Sequence, residues 1–215
     1  MNLSLQDPLT LIRTFLDNAQ AHGVKVILDV HNFGAHSGLK IGSAELPVSA
    51  FQDLWLKLAG ALKDHPAVSG YGLMNEPVHV VSPWADIAQS AITSIRSIDS
   101  STPIYVAGAG WGAAMNWKKD NDGLKNLVDP SGKLVFEAHQ YFDKYTSGTY
   151  QGTYESEGAY ETIGVDRVQP FVSWLKENNL KGFIGEYNVP SNDPRWLTVM
   201  DNFLGELAKN GISSA

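Results

Sequence analysis

The chain reads as an α/β protein, parallel strands covered by helices, and within that class as an incomplete (β/α)8 barrel. Three observations predict this. Helix patterns and short apolar strand patterns alternate along all 215 residues. The strands come as β-branched, apolar runs such as VKVILDV (24–30), the pattern of parallel strands buried on both faces. Polar or aromatic residues stand where each strand stops, and in a barrel all strand C-termini open onto one functional face.

The elements follow in order. Asp7-Pro8 reads as an N-cap with proline at the first helical position, and Leu9, Ile12, Phe15, Leu16 and Ala19 then recur at helical spacing until Gly23. After the strand at 24–30, Phe51, Leu54, Trp55, Leu58 and Leu62 line one face of a helix, and residues 68–74 form the next strand. Ser82-Pro83 opens a helix carrying Ile87, Ala91 and Ile95, and 103–108 is a strand. Residues 109–132 read as irregular, 134–141 as a strand, and the acidic, tyrosine-rich run at 150–161 as a solvated loop that can alternatively line a cleft. A helix at 168–178, a strand at 180–186 and a helix capped by Asp193-Pro194, with Trp196, Met200, Phe203 and Leu207 facing inward, complete the alternation. The final Gly211–Ala215 stretch resembles the opening of one more strand.

An open doubly wound sheet competes with the barrel. Its nucleotide-binding versions need a Gly-x-Gly-x-x-Gly or P-loop turn, and neither occurs. No linker or repeat marks a second domain, so residues 1–215 form one partial catalytic domain, a barrel that lacks pieces at both ends of a fold of roughly 250 residues.

The bulk numbers narrow the function classes. The formal net charge of −7 gives no electrostatic reason to bind nucleic acid or an anionic membrane. There is no cysteine, hence no disulfide or thiolate metal site. No apolar run approaches the ~20 residues of a membrane span. The N-terminal MNLSLQDPLT has no basic n-region or apolar h-region, so either the protein stays inside the cell or an export signal lies upstream.

The chemistry concentrates at strand ends: His31-Asn32 after the first strand, Asn75-Glu76-Pro77 after the second, Trp111 after the third, His139 and Tyr141 at the fourth, Glu186 at the fifth. Two glutamates so placed suggest paired-carboxylate chemistry, of which glycoside hydrolysis is the leading example. Each residue also has a plainer reading. Glu76 and Glu186 can be ordinary loop or strand-end carboxylates, and His31 and His139 satisfied core histidines. Their neighbours do not form a metal-ligand set, and no cofactor is called for. Trp111 is open between a sugar platform and packing, Trp117 between surface and core; Trp55, Trp84, Trp174 and Trp196 fall on helices and read as core. Asp29, inside a strand two residues before His31, reads as a buried hydrogen-bonding support.

YGLMNEP (71–77) resembles the acid/base motif of the large retaining clan of (β/α)8 glycosidases. LDVHN (28–32), FEAHQY (136–141) and FIGEY (183–187) follow in the order and rough spacing of glycoside hydrolase family 5, and MNEPVHV with HQYFDKYTSGTY is most similar to its endo-1,4-β-glucanases. The resemblance spans essentially the whole chain, from the helix before the third barrel strand to the threshold of the eighth, so the first two strands and most of the eighth are expected to be missing. It implies Glu76 as acid/base, Glu186 as nucleophile, Asn75 on the sugar 2-hydroxyl, Tyr141 orienting Glu186, and His31, Asn32, His139 and Trp111 around the substrate. It also implies an arginine on the second barrel strand and a tryptophan after the eighth, both outside these 215 residues. The expected activity is retaining hydrolysis of a neutral β-1,4-glucan by a secreted or periplasmic monomer. The rivals are a β-mannanase or other β-glycosidase on the same frame, and a non-catalytic carbohydrate-binding fragment.

Overall fold

The computed structural model describes residues 7–215. The segment at 1–6, where part of the secretion-signal reading falls, lies outside the described residues. The chain forms α1 (Pro8–Ala21), β1 (Val26–Asp29), a hairpin of β2 (Ala35–His36) and β3 (Leu39–Lys40), α2 (Val48–Leu62), β4 (Val68–Gly72), α3 (Trp84–Arg96), β5 (Ile104–Ala107), α4 (Trp117–Asn121), β6 (Leu134–His139), α5 (Ile163–Asn178), β7 (Gly182–Glu186), α6 (Arg195–Lys209) and β8 (Ser213–Ser214).

Apart from the hairpin, the strands make one parallel sheet of 6, in the order β1-β4-β5-β6-β7-β8. The order follows the chain without reversal. A doubly wound sheet reverses its strand order at a switch point, so the sheet is a stretch of barrel wall. The long-range contacts agree: the Tyr105 and Phe183 rings, on strands separated by β6, meet edge to face at 5.2 Å on the inner face.

Alternation along the strands assigns the two faces. Ile104, Val106, Phe136, Ala138 and Ile184 point outward and are buried under the helices. Trp55 of α2 and Trp84 of α3 donate their indole N–H to the carbonyls of Leu73 and Ala107, tying helix to strand end. Trp174 stacks edge to face on Phe136, and Trp117 on Phe171 and Trp174, so these four tryptophans, with Trp196, are core. Inward, two glycines clear space. A Cβ at Gly72 would press on the Asp29 carboxylate of β1, and one at Gly185 would collide with the Glu137 carboxylate of β6.

Several local expectations change. β1 is half-buried rather than buried on both faces, because it is the sheet edge and pairs with β4 alone. In α1, Leu16 and Ala19 are buried but Phe15 is exposed. In α6 the inward set is Trp196, Val199, Phe203 and Leu207, with Met200 only partly covered. The 109–132 stretch contains α4 and short 3-10 turns. The β2–β3 hairpin was not foreseen; Ser37-Gly38, both at positive φ (50° and 80°), is the two-residue turn that makes it. The 150–161 run is a largely exposed loop, as expected, but it is anchored: Tyr150 and Tyr154 pack on Trp196, and the buried Glu157 accepts N–H bonds from Gly152 and Lys144.

One buried ion pair pins the β5 entry. Arg96 at the end of α3 makes a two-pronged bond to Asp129 (2.7 and 3.1 Å), with side chains only 4% and 2% exposed, and donates to the Asp99 and Thr102 carbonyls. Removing one partner strands a charge away from water. We expect Asp129→Ala to lower unfolding free energy by about 3–5 kcal/mol, measured by urea denaturation, with Arg96→Met/Asp129→Leu recovering most of that loss.

Candidate active site

Glu76, Asn75, His31, Trp111, His139, Tyr141 and Glu186 all lie at the C-terminal rim of the sheet, as foreseen from their strand ends. Glu76, Trp111, His139, Tyr141 and Glu186 line one cleft of about 470 Å³, together with Phe33, Asn116, Gln140 and Tyr145. A cavity of about 510 Å³ at the opposite end of the sheet, between Tyr105, Leu180 and Ile212, holds no carboxylate or imidazole.

The geometry converges on His139, 2% exposed. Its Nδ1 lies 2.8 Å from Glu76 Oε1 and 3.6 Å from Glu186 Oε2, and its Nε2 3.5 Å from Glu137 Oε1. Burial alone would push the imidazole down; the facing carboxylates of Glu137, Glu76 and Glu186 outweigh it and hold His139 up at about 9. Carboxylate oxygens of Glu76 and Glu186 and a nitrogen of His139 fall within 4.8 Å of one another. The three have the spacing of a metal-ligand set, but a ligating imidazole must be unprotonated, and these carboxylates favour the cation.

Glu186 reaches this position through a register shift. Glu137 and Ala138 pair with Phe183 and Ile184, then His139 pairs with Glu186, skipping Gly185. Strict alternation would send Glu186 outward with Ile184; the extra residue turns it onto the rim beside His139. There Tyr141 donates its hydroxyl to Glu186 Oε2 at 2.6 Å, and burial together with that carboxylate pushes the phenol well above its usual value.

Glu76 is 9% exposed at the end of β4, with φ at +41°. Phe33, Trp111 and Thr146 line the same cleft at positive φ, so four of the 7 described non-glycine residues with left-handed backbone gather here, the kind of clustered strain that functional sites hold. Beside Glu76, Asn75 donates its amide to His31 Nε2 (3.1 Å), and His31 Nδ1 bonds Asp29 Oδ2 (3.1 Å). Asp29 thus supports the site as expected, but it is not buried: its side chain is 32% exposed on the edge strand, while desolvation and Glu137 push its carboxyl up to about 6. Asn32 stands apart, lining an apolar hollow beside Ile41, Phe51 and Met74 instead of the cleft. Trp111 is 55% exposed and 6.1 Å from the Phe33 ring, a surface aromatic rather than a packed one. Phe33 and Tyr145 were missed; both lie in loops with no periodic signal, though Tyr145 falls within the resembling HQYFDKYTSGTY run.

The family model for Cellulase (glycosyl hydrolase family 5) matches residues 3–215. The chain belongs to glycoside hydrolase family 5. Within the family, it is 38% identical over 172 residues to the endo-beta-1,4-glucanase B of Aspergillus niger, covering 80% of this chain and 49% of that one. The fold superposes on Pseudomonas stutzeri endoglucanase Cel5A with a TM-score of 0.90 and 40% identity, covering 98% of this chain and 65% of that one. A structure of the same endoglucanase in complex with cellobiose gives 0.89 and 40%, covering 97% and 63%. The chain spans about half the length of the curated relatives it matches.

Because His139 is charged up to about 9 in the folded state against an ordinary 6.5, its contribution to stability is complete below about 6.5 and is lost as pH rises through about 9. Melting temperature should decline over that window, and His139→Gln should remove this part of the decline while leaving a lower, flatter profile.

Proposed function

We propose that the chain hydrolyses β-1,4-glucan by double displacement with retention, Glu76 serving as acid/base and Glu186 as nucleophile. The carrying observation is the approach of the two carboxylates, with oxygens within 4.8 Å. Retaining pairs sit about 5–5.5 Å apart, whereas inverting pairs need about 6.5–9.5 Å to seat a water between them.

In this reading the substrate lies along the cleft, one pyranose face on Trp111 with Phe33 behind it. Tyr141 holds Glu186 Oε2, leaving Oε1 to attack the anomeric carbon as Glu76 protonates the departing oxygen. Water then enters, Glu76 takes its proton, and the glycosyl ester on Glu186 is released. Asn75, fixed by the His31–Asp29 chain, stands next to Glu76 to meet a sugar hydroxyl. Glucan rather than mannan is favoured by relatives that are endo-β-1,4-glucanases, one of them seen in complex with cellobiose. A polymeric substrate places the enzyme outside the cell or in the periplasm.

The assay is reducing-sugar release from carboxymethyl cellulose against mannan. We expect release from the glucan, a rate lower by about 10²–10⁴-fold in Glu76→Gln and at least as low in Glu186→Gln, with circular dichroism unchanged. NMR should detect the β-anomer as the first product. Binding without turnover in the parent chain, or turnover indifferent to both substitutions, would sink the proposal.

A further inference from the structure

Glu137 has no part in the reaction outlined above, yet it is a carboxylate facing the inside of the sheet beneath the site. Its side chain is 16% exposed, and no donor bonds it among the described residues. Its oxygen occupies space that exists because residue 185 is glycine. The nearest cation is His139, whose Nε2, likewise without a hydrogen-bond partner, lies 3.5 Å from Glu137 Oε1. A buried ring nitrogen and a partly buried carboxylate, each otherwise unpaired among the described residues, therefore face each other. A neutral imidazole has one N–H and one acceptor nitrogen; with a carboxylate facing each ring nitrogen, both are donors only in the imidazolium, which this pairing favours.

We infer that Glu137 is a positioning residue of this site, holding His139 turned so that its Nδ1–H points at Glu76. The inference rests on the hydrolase reading for its effect on rate, but not for its effect on the imidazole. Every charged group facing His139 is accounted for: Glu137 on its own strand, Glu76 at the end of β4, Glu186 at the end of β7, and, at longer range, Asp29 on β1, which His31 already engages. Of these, Glu137 alone approaches Nε2. It sets the ring from below, and Glu76 Oε1 is then held from His139, while Glu76 Oε2 has no hydrogen-bond partner among the described residues and is left for the leaving oxygen. Without Glu137 the ring loses its anchor and its preference for the doubly protonated form.

The test follows the His139 imidazole by ¹⁵N NMR from pH 5 to 10 in the full chain, with the signal assigned by its loss in His139→Gln. Glu137→Gln keeps the volume and removes the charge; Glu137→Asp keeps the charge but withdraws it, and serves if the first variant folds poorly. We expect a midpoint for the parent near 9. It should fall by about 1–3 pH units in Glu137→Gln and by less in Glu137→Asp. On a soluble β-glucan, kcat should fall by up to about 100-fold with KM little changed, and the alkaline limb of the rate profile should move to lower pH. A parent midpoint at the ordinary imidazole value, a midpoint indifferent to Glu137→Gln, or a shifted midpoint with unaltered kcat would overturn the inference. A parent chain that cleaves no β-glucan while the midpoint still falls would defeat the hydrolase reading and leave the hold of Glu137 on His139 standing.

Discussion

A single imidazole, sealed from water among three carboxylates, is the interaction on which the site depends. Glu76, Glu137 and Glu186 crowd around His139. Without a cation there, like charges at that range in a desolvated setting would force protons onto some of them or push them apart. With it, the Glu76 and Glu186 carboxylates are held with oxygens within 4.8 Å of each other.

That arrangement asks much of the sheet. Groups from β4, β6 and β7 must meet over the inner face, so the wall must run in chain order, with every strand delivering its C-terminus to the same rim. The outward side secures this by packing: aromatic and branched residues sealed under helices, with indole N–H groups tied to strand-end carbonyls. The inward side secures it by omission. Gly72 and Gly185 carry no side chain where Asp29 and Glu137 need room. A wall made wholly of branched residues would be better packed and would have no place for these inward acids.

The cost of the site is visible in its backbone. Glu76, Phe33, Trp111 and Thr146 hold left-handed conformations that side-chain-bearing residues avoid. The loops of Glu76 and Trp111 are tied to the wall, the first by the Asn75 N–H to the Val30 carbonyl and the second by the His139 N–H to the Gly112 carbonyl. Rigid strands below and strained loops above divide the labour: the strands set the distances between carboxylates, the loops shape the cleft.

The linear sequence was enough to determine the alternation of strands and helices, the parallel wall, the strand-end placing of Glu76, His139, Tyr141 and Glu186, and the family. These properties are local: a β-branched run, a Ser-Pro or Asp-Pro helix start, an Asn-Glu-Pro turn can each be read within a few residues. Tertiary pairing decided the rest. The skipped Gly185, which turns Glu186 from the helix side to the rim, depends on the partner strand from 134 to 139 and leaves no trace in period-two alternation. Phe33 and Tyr145 enter the cleft, and Asn32 leaves it, by loop paths with no period at all. Phe15 faces outward and Asp29 stays partly wet because each lies at an edge, and being at an edge is a relation to neighbours, not a property of the residues themselves.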